Sequence, residues 1–228
     1  MLFEDTSVYN IYNAILGARN PKNSWNKSDS IFKGYNGKIE NTVIGENDLK
    51  LLQSLIKAGS EHRKFMRQIG VSVIITAPLY WWKEFDTYKV GTVANSTSTM
   101  HKLASTPITL DCFEMDDFEE VNIFRKNNYL QEEWETSKDF WGELIPHLEQ
   151  LRIKYNETKD KRFWKELIRL LPESWLQKRT VTMNYENILN MVRHRTNHKL
   201  TEWSESFINW AKTLPYAEEL IFIGGVDG

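Results

Sequence analysis

The residues best suited to chemistry gather between Asn184 and Arg195, in the segment NYENILNMVRHR. On a helix turning about 100° per residue, Asn184, Asn187, Asn190, His194 and Arg195 share one side, while Ile188, Leu189 and Val192 share the other. Asn is a poor helix former, so several on one face give up propensity, and a purely solvent-facing role explains them weakly. Carboxamides both donate and accept hydrogen bonds, which suits the edge of a heterocycle, and Arg195 adds a cation at the helix end. A polar subunit interface fits the same face equally well. His194 and His198 stand at i,i+4 spacing, but no Glu lies between them in the zincin manner and no third ligand is evident. They read as ordinary polar histidines, and no metal is expected.

A second informative run is Ala77 to His101, APLYWWKEFDTYKVGTVANSTSTMH. It opens with Pro78 at a predicted first helical position, passes Glu84 and Lys89, turns at Gly91, and ends in Asn95, Ser96, Thr97, Ser98 and Thr99. Hydroxyls, an amide and free N–H groups at a helix start are a common way to hold phosphate. A capped surface helix following a buried one accounts for the same composition.

These stretches sit in a chain of 228 residues, enough for a full core in one large domain or two small ones. Hydrophobic content of 41% and charged content of 26% are those of a soluble globular protein. A net charge of −2 argues against broad electrostatic binding to nucleic acid or an anionic membrane. The single Cys112 excludes an intrachain disulfide and suits a reducing compartment. With no apolar run of membrane-spanning length and no signal-peptide core at the N-terminus, a cytoplasmic location is expected. The nine Trp residues are spread from Trp25 to Trp210, which points to core and interfaces more than to one site.

Thr6 and Ser7 are predicted to cap a first helix with Val8, Ile11, Tyr12, Ile15 and Leu16 inside. Asn47 is predicted to cap a second, with Leu51, Leu52, Leu55 and Ile56 inside and Gly59 as its stop. Val71, Val73 and Ile75 alternate with Ser72 and Thr76, the pattern of a strand leading into Ala77. Pro107 to Phe113 reads as a further strand, and Glu114 to Glu120 as a solvated acidic face. A helix is expected from Thr136 or Ser137, bearing Phe140, Leu144, Leu148 and Leu151 and kinked at Pro146. Another carries Trp164, Leu167, Ile168 and Leu171, and a last one buries Trp203, Phe207, Trp210 and Leu214.

Position by position, these motifs resemble the flavin-dependent thymidylate synthases, the ThyX family. Ala77-Pro78 matches the family's Ala-Pro, Glu84 stands at its Gln, and Thr87, Tyr88 and Lys89 stand at its Arg-His-Arg signature. Asn95 and Ser98 match the Asn and Ser of Asn-Glu-x-Ser-x-Arg-Tyr after a one-residue insertion, with Ser96, Met100 and His101 replacing the Glu, Arg and Tyr. Gly59-Ser60-Glu61 is similar to Gly-His-Glu, with Ser60 in the place of the His. Ala18-Arg19 is similar to an Ala-Arg-x-Ser segment, where Arg19 reads either as a phosphate contact or as a solvated helix-end Arg. After Leu171-Pro172, Asn184, Asn190 and Arg195 keep the family's spacing. The family's phosphate Arg before that Pro is Ile168 here, with Arg169 one residue off.

The resemblance implies an α/β (α+β) fold, a mostly antiparallel sheet flanked by helices. It implies a single domain over residues 1–228 with a divergent helical middle at about 114–166, assembled as a homotetramer. Ser60, Asn184 and Asn190 fall on the FAD side. Glu84, Lys89, Asn95, Ser98 and Arg195 fall on the nucleotide side, with Arg195 beside the pyrimidine as the residue that polarises the base. The family's reaction makes dTMP from dUMP, using methylenetetrahydrofolate and NADPH. The signature's Arg residues are absent here, and the remaining Lys89 is a point charge that does not reproduce a bidentate Arg. Two functions are therefore expected. One is a divergent ThyX-like enzyme on a dUMP-like nucleotide with weakly held FAD. The other is a non-catalytic protein on the same scaffold, binding a nucleotide-like ligand or serving as a structural subunit.

Overall fold

Val71, Val73 and Ile75 are buried and alternate with half-buried Ser72, Ile74 and Thr76, as a strand packed mainly on one face requires. The computed structural model describes residues 1–35, 38–116, 118, 121–126 and 132–223. Its strands are β1 (Leu2–Tyr9), β2 (Ile31–Tyr35), β3 (Lys38–Val43), β4 (Gly70–Pro78), β5 (Val93–Ser96), β6 (Asn122–Lys126), β7 (Glu132–Thr136) and β8 (Leu176–Asn184). Its helices begin with α1 (Ile11–Arg19), α2 (Glu46–Lys57), α3 (Leu79–Phe85), α4 (Thr99–Lys102) and α5 (Ser137–Thr158). They continue with α6 (Lys161–Leu170), α7 (Tyr185–Arg195), α8 (Ile208–Lys212) and α9 (Ala217–Leu220). A four-stranded sheet has the order β1-β4-β8-β5, and β2–β3 and β6–β7 are antiparallel pairs. This is the expected mixture of helices and antiparallel sheet.

Contacts divide the chain into two compact units, one of residues 1, 76–84 and 96–178, the other of residues 2–75, 85–95 and 179–228. In the first, α5 and α6 contribute Leu148 and Leu167 to a core with Leu103, Ile108 and Phe113. Trp141 and Trp175 pack on the Phe113 ring at centroid distances of 5.1 and 5.5 Å. The helical middle thus shares its core with residues on either side of it in the sequence, Leu103, Ile108, Phe113, Leu167 and Trp175. This unit also holds an apolar cavity of about 680 Å³ beside Ile108, Trp141 and Ile145, lined by none of the predicted site residues.

In the second unit, Leu52, Ile56, Phe65, Met66, Trp203 and Phe207 are buried. Thr6 and Ser7 lie here in β1 and do not cap a helix. Phe3 stacks on Trp210 at 4.9 Å and Thr6 Oγ1 accepts from Trp210 Nε1 at 3.0 Å, so an aromatic ring distant in sequence holds this segment extended. Asn47 is not the cap of α2 either. Gly45 occupies that position, and the Asp29 carboxylate accepts the N–H groups of Asn47 at 2.8 Å and Asp48 at 3.1 Å. A carboxylate supplied from another segment replaces the local cap.

Pro107 to Phe113 forms no strand. It contains a 3-10 turn at Leu110–Cys112, and only Phe113 makes a bridge, to Trp175. Thr136 caps α5 in a capping box with Asp139, and the helix runs on through Pro146, with Phe140 48% exposed and not on the inner face. Of the acidic run, Asp117, Glu119 and Glu120 lie outside the described residues. Among the described residues no helix is long and apolar enough to cross a membrane.

Candidate functional site

The second unit places α7 against the loop 86–92. Asn184 is the N-cap of α7: its Oδ1 accepts from the Asn187 N–H at 3.0 Å, and Asn187 Oδ1 accepts from the Asn184 N–H at 3.1 Å. Asn187 Nδ2 then donates to the Val90 carbonyl at 2.7 Å, tying the helix start to the loop. Two carboxamides of the polar face therefore satisfy backbone groups that a helix start leaves open.

Thr87, Tyr88, Lys89 and Val90 line a cavity of about 220 Å³ with Asn187 and Asn190. Arg195 does not line it. Its Nε donates to Tyr88 Oη at 3.0 Å, and its guanidinium lies 4.9 Å from the Trp203 ring centroid and 5.6 Å from that of Tyr88. His194 stacks on Tyr88 at 6.5 Å, and His198 Nδ1 accepts from the Leu200 N–H, so the histidine pair serves local packing. Among the described residues no cluster of three or more His, Cys, Asp or Glu could hold a metal ion.

Behind the cavity, Arg63 Nη2 donates to Asn190 Oδ1 at 3.3 Å and Arg63 Nε donates to Glu186 Oε1 at 2.8 Å. Arg67 reaches the other Glu186 oxygen at 3.2 Å. Burial, then the nearby charge of Arg63, lowers the pKa of the Arg193 guanidinium. Sequence reasoning missed Arg63, Arg67 and Glu186. Arg63 and Glu186 lie 123 residues apart, and nothing in their spacing marks them as partners.

Of the predicted site residues, Lys89 and Asn190 meet at the cavity, Asn184 stands at the adjoining helix start, and Arg195 reaches it through Tyr88. Asn95 is exposed in β5, and Ser60 is exposed in the turn after α2. Glu84 and Ser98 belong to the first unit, where the Ser98 carbonyl accepts from the Lys102 N–H of the one-turn helix α4. In the run Asn95–Thr99, Asn95 and Ser96 end β5 and the one-turn helix α4 begins at Thr99. Arg19 is neither a phosphate contact nor solvated. It is 5% exposed, its Nε bonds Asp48 Oδ1, and Nη1 donates to the Ser24 carbonyl at 3.2 Å.

Gly91 turns the loop with φ of +79°, and a Cβ there would stand 3.0 Å from Asn184 Nδ2 and 3.1 Å from Asn187 Oδ1. Gly91→Ala should therefore lower stability by about 1–3 kcal/mol, the cost of a left-handed non-glycine residue. Thermal melting of the variant checks this, and an unchanged melting temperature would refute it.

No family model matches the sequence, and no curated protein matches it. Solved structures do match the fold. The flavin-dependent thymidylate synthase ThyX of Helicobacter pylori, complexed with FAD and dUMP, superimposes with a TM-score of 0.66 at 16% identity, covering 98% of each chain. A second structure of that organism's thymidylate synthase X, also with FAD and dUMP, gives 0.66 and 16% over 100% of each chain. The fold is ThyX-like. At this identity the likeness extends to the fold alone, and the side chains must be judged on their own geometry. For a flavin the holder in this chain is incomplete. Ser60 is not among the cavity-lining residues, and the Asn184 carboxamide oxygen is committed to the helix cap. Only Asn190 of the predicted flavin set lines the cavity.

Proposed function

We propose that this chain binds a dUMP-like pyrimidine nucleotide at the Tyr88–Lys89–Asn190 cavity, holds FAD weakly, and forms a homotetramer as a single ThyX-like domain. The reaction it would carry is dTMP formation from dUMP with methylenetetrahydrofolate and NADPH. The observation that supports this reading is the convergence of Lys89, Asn190 and the Arg195–Tyr88 pair from separate segments of the second unit. A heterocycle finds there an aromatic wall, a carboxamide and a nearby guanidinium, and Lys89, exposed at the rim, suits a phosphate. The cavity is smaller than the roughly 300–1,000 Å³ usual for a ligand site, so a nucleotide would extend its sugar and phosphate beyond it.

A second reading, a non-catalytic nucleotide-binding protein on the same scaffold, is favoured by the capping role of Asn184 and Asn187 and by the replaced Arg-His-Arg signature. One assay separates the two. The purified chain is incubated with dUMP, FAD, NADPH and methylenetetrahydrofolate, and dTMP is measured beside dUMP binding. Turnover supports the enzyme, binding without turnover supports the second reading, and absence of dUMP binding refutes both. FAD should be lost on ordinary purification, and a stoichiometric, tightly held flavin would overturn that part of the proposal.

A further inference from the structure

The apolar cavity of the first unit shares no lining residue with the candidate nucleotide site. Its volume of about 680 Å³ falls within the roughly 300–1,000 Å³ of sites for small organic ligands. Ile108, Leu110, Met115 and Phe118 line it from the segment before α5, and Trp141 and Ile145 line it from α5 itself. Leu110 and Phe118 are exposed, so the apolar lining reaches the surface. Gly142 lines the cavity too, and a Cβ there would meet no packed neighbour within 4 Å among the described residues. Glycine is a poor choice inside a helix, and here its missing side chain leaves the space open.

Among the described lining residues Lys138 alone carries a charge, and it is exposed in the first turn of α5. Of the carboxylates beside lining residues, Asp139 accepts from the Thr136 N–H and hydroxyl, and Glu114 and Asp116 hold the Met1 ammonium at 3.6 and 2.8 Å. We propose that this cavity binds a fatty-acid-like carboxylate, with its hydrocarbon body among the apolar side chains and its carboxylate at the Lys138 ammonium. A hydrocarbon chain gains by leaving water for such a lining. A single cation at the rim favours an anionic head over a neutral one and repels a cationic one.

Calorimetry with decanoate, decanol and decylamine on the full chain tests this, with the melting temperature followed in parallel. The wild type should bind decanoate several-fold more tightly than decanol, with decylamine weakest, and decanoate should raise the melting temperature. Lys138→Glu should reverse the order of decanoate and decylamine. Gly142→Leu puts a side chain into the open space, so affinity for all three should fall by more than about tenfold, while the melting temperature without ligand stays level or rises. If Gly142→Leu does not fold, Lys138→Glu decides. A wild type that binds no decanoate overturns the proposal, and so does a melting temperature lowered by decanoate, which is detergent action. Equal affinity for the three ligands, unmoved by Lys138→Glu, overturns it as well. Affinity unmoved by Gly142→Leu puts the ligand elsewhere, with the same consequence. If Gly142→Leu lowers the assembled mass in light scattering, a second copy of the chain covers the cavity and the proposal fails.

Discussion

Asp48→Ala should destabilise the protein by about 3–5 kcal/mol, the range for removing one partner of a buried ion pair. Asp48 has no exposed surface, and its carboxylate accepts from Arg19 Nε, Ser28 Oγ, the Ser30 N–H and Ser30 Oγ. Alanine would strand a guanidinium that is itself only 5% exposed. Burial alone would push the Asp48 carboxyl up, but the hydrogen bonds of Ser28, Ser30 and Arg19 and the charge of Arg19 outweigh it, and its pKa is lowered. A carboxyl depressed in the folded state contributes stability above its unfolded value of about 3.9 and loses that contribution as pH falls through the lower folded value. Wild-type stability should therefore drop on acidification below about pH 4 more steeply than that of Asp48→Asn. Urea denaturation at neutral and acidic pH measures both effects. A loss under about 1 kcal/mol for Asp48→Ala would mean that the pair is open to water.

That ion pair shows where the sequence is silent. Arg19 and Asp48 lie 29 residues apart, and long-range charge pairs leave no periodic mark in a sequence. Helix α7 and strand β4 are legible because their apolar residues repeat at the helix and strand periods, and burial at Ile188, Leu189, Val192, Val71 and Val73 follows that pattern. The first strand is not, because Thr6 and Ser7 suit a helix cap and a strand equally, and the hydrogen bond that decides, Trp210 to Thr6, spans 204 residues. The candidate site is legible in part. Lys89, Asn190 and Arg195 converge around Tyr88, whereas Asn184 and Asn187 pair with each other across the helix start. Their i,i+3 spacing there is the signal of a capping pair, and it competes with the ligand-facing reading of the same two residues. Arg63, which donates to Asn190 Oδ1 at 3.3 Å, carries no signal at all.

Arg195→Ala should weaken dUMP binding by more than about tenfold, because the guanidinium that holds the Tyr88 hydroxyl beside the cavity is lost. The guanidinium also lies over Trp203 and bonds Tyr88, so its removal should cost a further 1–2 kcal/mol or so of stability. Stability loss alone thus does not establish a ligand role, and Arg195→Lys separates the two. Lysine can keep a cation over Trp203 and much of that stability, but it lacks the planar guanidinium that holds Tyr88, a residue of the cavity wall, through its hydroxyl. The expected order of dUMP affinity is wild type, then Arg195→Lys, then Arg195→Ala, while the melting temperature of Arg195→Lys stays near that of the wild type. Calorimetry with dUMP on all three proteins, beside light scattering for assembly, gives the answer. If both variants bind dUMP as the wild type does, or if Arg195→Lys dissociates before its affinity changes, Arg195 is a structural residue and the nucleotide site lies elsewhere.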